Sequence, residues 1–168
     1  MLPLRKILCP TDWSEPSLAA LEIAGEWARH FDSELLMLHV VAPLEHSGLL
    51  LDKAQIEEAM QADAARQLHE IARHRVLDVP SVRPIVTVGS AAVQIADVAR
   101  QENVDLLVIS THGLGGWRAV VSGSSMDAIF FGSVTSNVMR LALCPILTIR
   151  AAPATDEATG ENRYVKTD

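Results

Sequence analysis

Two groups of residues have the types and spacing to hold an anion and the sugar or base attached to it. The first lies in the stretch 104–150. An apolar run, Leu106 to Ile109, stops at Ser110-Thr111-His112, and glycines follow at 113, 115, 116, 123 and 132. After Gly132 come Ser133-Val134-Thr135-Ser136 and then a helical pattern. Glycines let a backbone approach an anion closely. The free N–H groups and positive dipole end of the following helix favour negative charge, so strand, glycine loop and helix start together suit phosphate. The plain alternative is a flexible surface loop. The second group is Pro10-Thr11-Asp12, which ends the first apolar run. A carboxylate there can accept hydrogen bonds from ribose hydroxyls or an adenine amine, or it can serve the N-terminus of the next helix.

The elements that must position these residues are legible from periodicity. Residues 4–9 suit a buried strand, and Ser14 is a good N-cap ahead of Glu15 and Pro16. Leu18, Leu21, Ala24, Ala28 and Phe31 then repeat at helical spacing, which predicts a helix to about His30. Residues 34–41 (ELLMLHVV) are nearly continuously apolar, as a strand covered on both faces should be. His39 in this run reads as a core histidine rather than a ligand. Residues 53–75 predict an amphipathic helix with Ile56, Met60, Ala64, Leu68 and Ile71 on one face and His69 and His74 solvated. Residues 82–88 predict a third strand, at an edge because Pro84 cannot donate to a ladder. Gly89-Ser90 is the turn, and 91–101 a third helix. Residues 105–110, a helix over 133–143 and a strand over 145–150 complete an alternation that implies an α/β fold with a mainly parallel sheet. In such sheets ligands bind beyond the carboxyl ends of the strands, where strand order reverses.

Composition excludes several classes of function. A chain of 168 residues is most simply one domain, 1–150, followed by a polar, aperiodic tail, 151–168, that reads as disordered. A net charge of -7 argues against nucleic acid and against an anionic membrane surface as partners. No apolar run approaches the roughly 20 residues needed to span a bilayer. The N-terminal segment has no signal-peptide pattern, so the expected location is cytoplasmic. Cys9 and Cys144 both lie in apolar runs and are expected to be buried, reduced thiols. The six histidines show no ligand spacing with cysteine, so no metal site is expected.

The motifs KILCPTDWS at 6–14, LHVV at 38–41, DLLVISTHG at 105–113, GSVTSNVMR at 132–140 and CPILTIR at 144–150, in this order, resemble the universal stress protein family. The resemblance covers residues 3–150 and implies an open five-stranded parallel sheet in the order 3-2-1-4-5 with helices on both faces. It also implies ATP, with or without Mg²⁺, bound through Gly-x2-Gly-x9-Gly-Ser/Thr after the fourth strand. Gly113 and Gly116 match the first two glycines of that pattern, and Gly132 and Ser133 the last pair. The resemblance further implies phosphate contacts from Val134 and Thr135, and adenosine contacts from Asp12 with Pro10 and Thr11 shaping the wall. It sets the backbone of Val40 against the adenine, with His112 and Gly89 lining the pocket edge. The last strand, 145–150, is implied to pair with its copy in a homodimer. One departure stands out. Fifteen residues, 117–131, separate Gly116 from Gly132 where the pattern has nine, so six are extra. They can bulge outward and leave both ends of the motif intact, cover the cleft, or offer Phe130 and Phe131 to a protein partner. The expected function is a nucleotide-dependent regulator of the stress response. The alternative is a dimeric interaction module that needs no nucleotide. No Walker lysine follows the glycines, and Arg118 is the nearest cation. Chemistry is therefore expected to be at most slow ATP hydrolysis or autophosphorylation. Asp12, His112 and Ser133 have no spacing that demands a nucleophilic triad.

Overall fold

The computed structural model describes residues 4–44, 53–111 and 132–150. They form β1 (Lys6–Pro10), α1 (Glu15–Phe31), β2 (Glu34–Val41), α2 (Lys53–Arg75), β3 (Ser81–Val88), α3 (Ala91–Gln101), β4 (Leu106–Ser110), α4 (Ser133–Leu141) and β5 (Ile146–Ile149). The five strands make one sheet in the order β3-β2-β1-β4-β5, and every pairing is parallel. The expected fold class and strand order therefore hold. The proposed tail, 151–168, lies outside the described residues.

Alternation along each strand divides the core in two. Ile7, Cys9, Leu35, Met37, Leu106 and Val108 pack with Leu21 and Ala24 of α1 and Leu68 of α2. Leu8, Leu36, Leu38, Leu107 and Ile109 pack with Ile95 and Val98 of α3 and Val138 of α4. Burying a Leu or Ile side chain fully is worth ~1.5–3 kcal/mol. These two layers therefore outweigh any surface pairing in setting the architecture. β1 lies at the centre, and Ile7, Leu8 and Cys9 are fully buried. The burial of Cys9 pushes its thiol far above the ordinary range. Cys144 departs from expectation: it is only half-buried, because it sits in the turn before β5 rather than in the sheet.

Local signals explain the boundaries. Ser14 caps α1, its side chain accepting from the Ser17 N–H, and Asp32 ends that helix in the left-handed region. β3 is the edge strand that Pro84 required. His69 and His74 are exposed, as expected. The apolar face of α2 behaves differently from its pattern. Ala64 and Leu68 are buried, but Ile56 and Met60 are 42% and 38% exposed. The cause is length. A 23-residue helix is about 34 Å long, while the 8-residue β2 spans only about 26 Å. Because α2 joins two parallel strands it runs antiparallel to them, so its first turns overhang the carboxyl end of β2. Among the described residues no helix is long and apolar enough to cross a membrane.

The opposite end of the sheet is tied by charge. Glu102, just past α3, accepts from Lys6 of β1 at 3.2 Å and from Arg83 of β3, and Arg83 also reaches Glu34 of β2 at 2.9 Å. The Arg83 guanidinium, then the Lys6 ammonium, hold the Glu102 carboxyl at about 2 against an ordinary 4.5. A carboxylate held down in the folded state stabilises it above the unfolded value, and that contribution disappears as pH falls through the folded value. Glu102→Gln should therefore lower the thermal midpoint at neutral pH, by less than about 1 kcal/mol equivalent for so accessible a network. Thermal scans should show the gap to the natural protein closing between pH 4.5 and about 2. A gap that is independent of pH would refute the assignment.

Candidate functional site

β1 and β4 are neighbours, with Ile7 beside Leu106 and Leu8 beside Leu107, but their chain connections leave in opposite directions across the sheet. α1 and α2 cover one face, and α3 and α4 the other. The strand order therefore reverses between β1 and β4, and in sheets of this kind the place for a ligand crevice is beyond the carboxyl ends of these two strands. Nine of the residues expected there are described. His112, Gly113 and Gly116, together with the six extra residues of the glycine loop, lie outside the described residues.

The β1 side is fixed by a dense set of short bonds. Pro10 ends the strand, and the Thr11 N–H still reaches Leu38 O of β2 at 2.8 Å. The Ser17 hydroxyl donates to Ser14 O at 2.8 Å, so the Thr11 hydroxyl, 2.9 Å away, must donate to Ser17 Oγ. Thr11 Oγ1 in turn accepts from the Trp13 N–H at 3.2 Å. Asp12 Oδ1 accepts from both the N–H and the hydroxyl of Ser14. Asp12 thus supports the N-cap of α1, the helix-terminus role left open by its sequence position, while its half-buried side chain stands in the loop after β1. Trp13 has φ 68°, a left-handed conformation that is costly for a bulky residue and persists only where the surroundings enforce it.

His39 supplies part of that enforcement. Its Nδ1 lies 2.9 Å from Thr11 O. A carbonyl can only accept, so Nδ1 carries the proton and Nε2 is the acceptor in the neutral ring. The imidazole also stacks on the Trp13 indole, with centroids 4.1 Å apart and planes 24° from parallel. His39 is half-buried at the end of β2, not a core residue as its apolar run implied. The run reported the strand correctly, but the overhanging part of α2 leaves a cleft beside His39 instead of packing tightly on it.

The β4 side places the helix start of the expected phosphate cradle. Thr111 is buried, donates its N–H to Ile149 O at 2.9 Å and accepts from the Gly132 N–H at 2.6 Å. The two ends of the segment 112–131 therefore meet, whatever its length. Gly132 is the N-cap of α4 and, as a glycine, has no side chain to cap the helix. Ser133 and Val134 are exposed in its first turn. Thr135 differs from expectation: its buried hydroxyl donates to Ser110 O at 2.8 Å and locks α4 onto β4, so its side chain is committed to the fold.

Val40 lies one strand over from Pro10, with its side chain toward the α3 and α4 layer. Gly89 donates to Val41 O at 3.0 Å and has φ 147°. That backbone conformation calls for glycine, and a Cβ there would also have to push the end of the flexible Gln94 side chain, 3.0 Å away, aside. Sequence reading missed Thr87. It is in register with Val40, and its buried hydroxyl has no hydrogen-bond partner among the described residues. Periodicity could not show this, because a threonine in a V-T-V strand is ordinary. It also missed Trp13, although a bulky aromatic inside a small polar turn is itself a signal.

The order 3-2-1-4-5, the helices on both faces and the crevice at the strand-order reversal define an open, doubly wound α/β domain. The sequence then narrows the class. The model of the Universal stress protein family matches residues 3–150, and the chain belongs to that family. It is 26% identical to universal stress protein MJ0577 of Methanocaldococcus jannaschii, an alignment covering 87% of this chain and 94% of that protein. The solved structure of hypothetical protein MJ0577 matches with a TM-score of 0.74 at 25% identity, covering 91% of this chain and 100% of that chain. The fold is also shared with a universal stress protein solved in complex with cAMP, at TM-score 0.63, 20% identity and 88% and 98% coverage. A further match is the Archaeoglobus fulgidus universal stress protein in complex with dAMP, at TM-score 0.52, 19% identity and 88% and 98% coverage.

An unpaired buried hydroxyl costs ~1–3 kcal/mol, whereas an isosteric methyl at the same place costs nothing of that kind. Thr87→Val should therefore raise the urea midpoint of the ligand-free protein, by about 1 kcal/mol in stability. A lowered midpoint would mean that the hydroxyl is already bonded, through water, in the folded protein.

Proposed function

We propose that the crevice between the carboxyl ends of β1 and β4 binds an adenine nucleotide, ATP foremost, and that nucleotide state regulates this protein in the cytoplasmic stress response. The observation that carries the reading is the start of α4. Gly132 is held at 2.6 Å on Thr111 O beside the end of β4, and as the N-cap of the helix that follows it has no side chain to cap it. First-turn N–H groups of such a helix favour phosphate. Gly132, Ser133 and the backbone of Val134 and Thr135 are the cradle. Pro10, Thr11 and Asp12 form the wall for the sugar and base, and the backbone of Val40 meets the adenine. Gly89 shapes the far edge. Mg²⁺ accompanies the phosphates of ATP in this reading. The cAMP and dAMP complexes of proteins sharing the fold support an adenine nucleotide as the ligand class. The contribution is binding rather than turnover, with hydrolysis at most slow.

A second observation favours self-association. Both sheet edges offer unpaired strands, but they differ. β3 carries Arg83 and Pro84, which discourage pairing. β5 is Ile146–Ile149, with neither charge nor proline. Met139 and Leu141 on α4 and Leu143 after it are 46%, 48% and 87% exposed beside that edge. We assign β5 to pairing with its copy in a homodimer. The same edge is the basis for the alternative reading as an interaction module independent of nucleotide.

Two measurements check these statements. Mass spectrometry of denatured, purified protein should find an adenine nucleotide in the natural chain and none in Gly132→Asp, whose carboxylate opposes phosphate. A natural protein that is empty, and gains no thermal stability from millimolar ATP, ADP or AMP with Mg²⁺, would sink the nucleotide reading. Light scattering during size exclusion at micromolar concentration should give the dimer mass, and Leu147→Pro should give the monomer. A monomeric natural protein would remove the dimer.

A further inference from the structure

A second concavity lies on the other face of the sheet. It is a half-open cleft of about 210 Å³, bounded by the Trp13–His39 stack, by Val41 at the end of β2, and by Met60, Asp63 and Gln67 on the overhanging part of α2. Strand alternation separates it from the nucleotide crevice. Val40 packs with the α3 and α4 layer, so His39 and Val41 face the α1 and α2 side. At ~30 Å³ per water-sized group it has room for about seven such groups, the scale of a single ring with one substituent.

The lining selects the sign of the ligand. Asp63 carries the formal negative charge of the wall, and among the described residues no lysine or arginine lines it. Asp63 is paired with Arg66 at 2.7 Å, but both side chains are more than half exposed and the pair is an i,i+3 helix contact. So exposed a helix pair is weak, and a ligand cation can replace it at little cost. Gln67 holds the other carboxylate oxygen, Asp63 Oδ2, at 3.0 Å and fixes the group's direction. The opposite wall is a stacked indole and imidazole, whose π faces attract cations and planar groups. The bond from His39 Nδ1 to Thr11 O leaves Nε2 as an acceptor in the neutral ring, which again favours a donor-rich ligand. Met60 adds a polarisable thioether suited to aromatic contact. An anion would meet a carboxylate and electron-rich ring faces, and no lining lysine or arginine among the described residues.

We propose that this cleft is a second binding site, for a small planar organic cation of the aromatic amidine or guanidine kind. The inference goes beyond the nucleotide reading and does not depend on it. The cleft and the β1 loop share Trp13 and His39, so a ligand here also contacts the groups that fix Thr11 and Asp12.

The test uses the full chain with benzamidine as probe and benzamide as its neutral isostere, followed by the Trp13 indole and Met60 methyl resonances. Benzamidine should shift both resonances saturably and bind at least about tenfold more tightly than benzamide, the worth of one charge-assisted contact. Asp63→Asn, on an exposed helix position and so with an unchanged thermal midpoint, should abolish the preference for the cation. Met60→Ala should weaken both probes. Equal binding of the two probes, no saturable shift at millimolar benzamidine, or an Asp63→Asn variant that keeps the preference would each overturn the proposal. Nucleotide-free and nucleotide-loaded protein serve equally, so failure here is separate from failure of the nucleotide reading.

Discussion

The structure depends on β1 being enclosed on every side. Ile7, Leu8 and Cys9 are fully buried, α1 lies over one face, and β2 and β4 flank the edges. A strand so placed must be paired on both edges, since an unpaired buried amide costs several times what a formed hydrogen bond contributes. Once β1 is central, right-handed crossovers leave little choice. Two connections build outward through β2 and β3 on one face, and the chain then returns to β4 and β5 on the other. The reversal of strand order between β1 and β4 is a consequence of that path.

The loop after β1 is the most constrained part of the site. Thr11, Asp12, Ser14 and Ser17 exchange hydrogen bonds within a few residues, and Trp13 is held with φ 68°. Much of this network is short-range, and it would cap α1 in any case. The Thr11 bond to Leu38 O and the His39 contacts come from β2, and they set how the loop leans against the sheet. The same loop therefore borders both the crevice and the cleft under α2. The β4 side uses a different device. The Thr111–Gly132 bond and the Thr135–Ser110 bond close the fold beneath the glycine loop, so the scaffold does not need that loop to have one particular length. This is consistent with the small free-energy cost of lengthening a loop whose ends are already joined.

What the sequence determined by itself is the set of elements and their local signals. The ranges of α2 and α3 follow from apolar spacing, the start of α1 from Ser14 and Pro16, and the edge position of β3 from Pro84. The order of strands came from a resemblance between motifs, because periodicity reports which face of an element is apolar and not which element covers it. The same physical reason explains what only the tertiary structure decided. His39 sits in an apolar run yet lines a cleft, and Met60 sits on an apolar stripe yet overhangs the sheet, because α2 is longer than the strand beneath it. Thr135 lies in a helix start suited to phosphate, yet its hydroxyl is spent on Ser110. Thr87 looks like any strand threonine until its neighbours leave its hydroxyl without a partner. In each case the residue's chemistry is written locally, and its use is fixed by atoms far away in sequence that packing brings beside it.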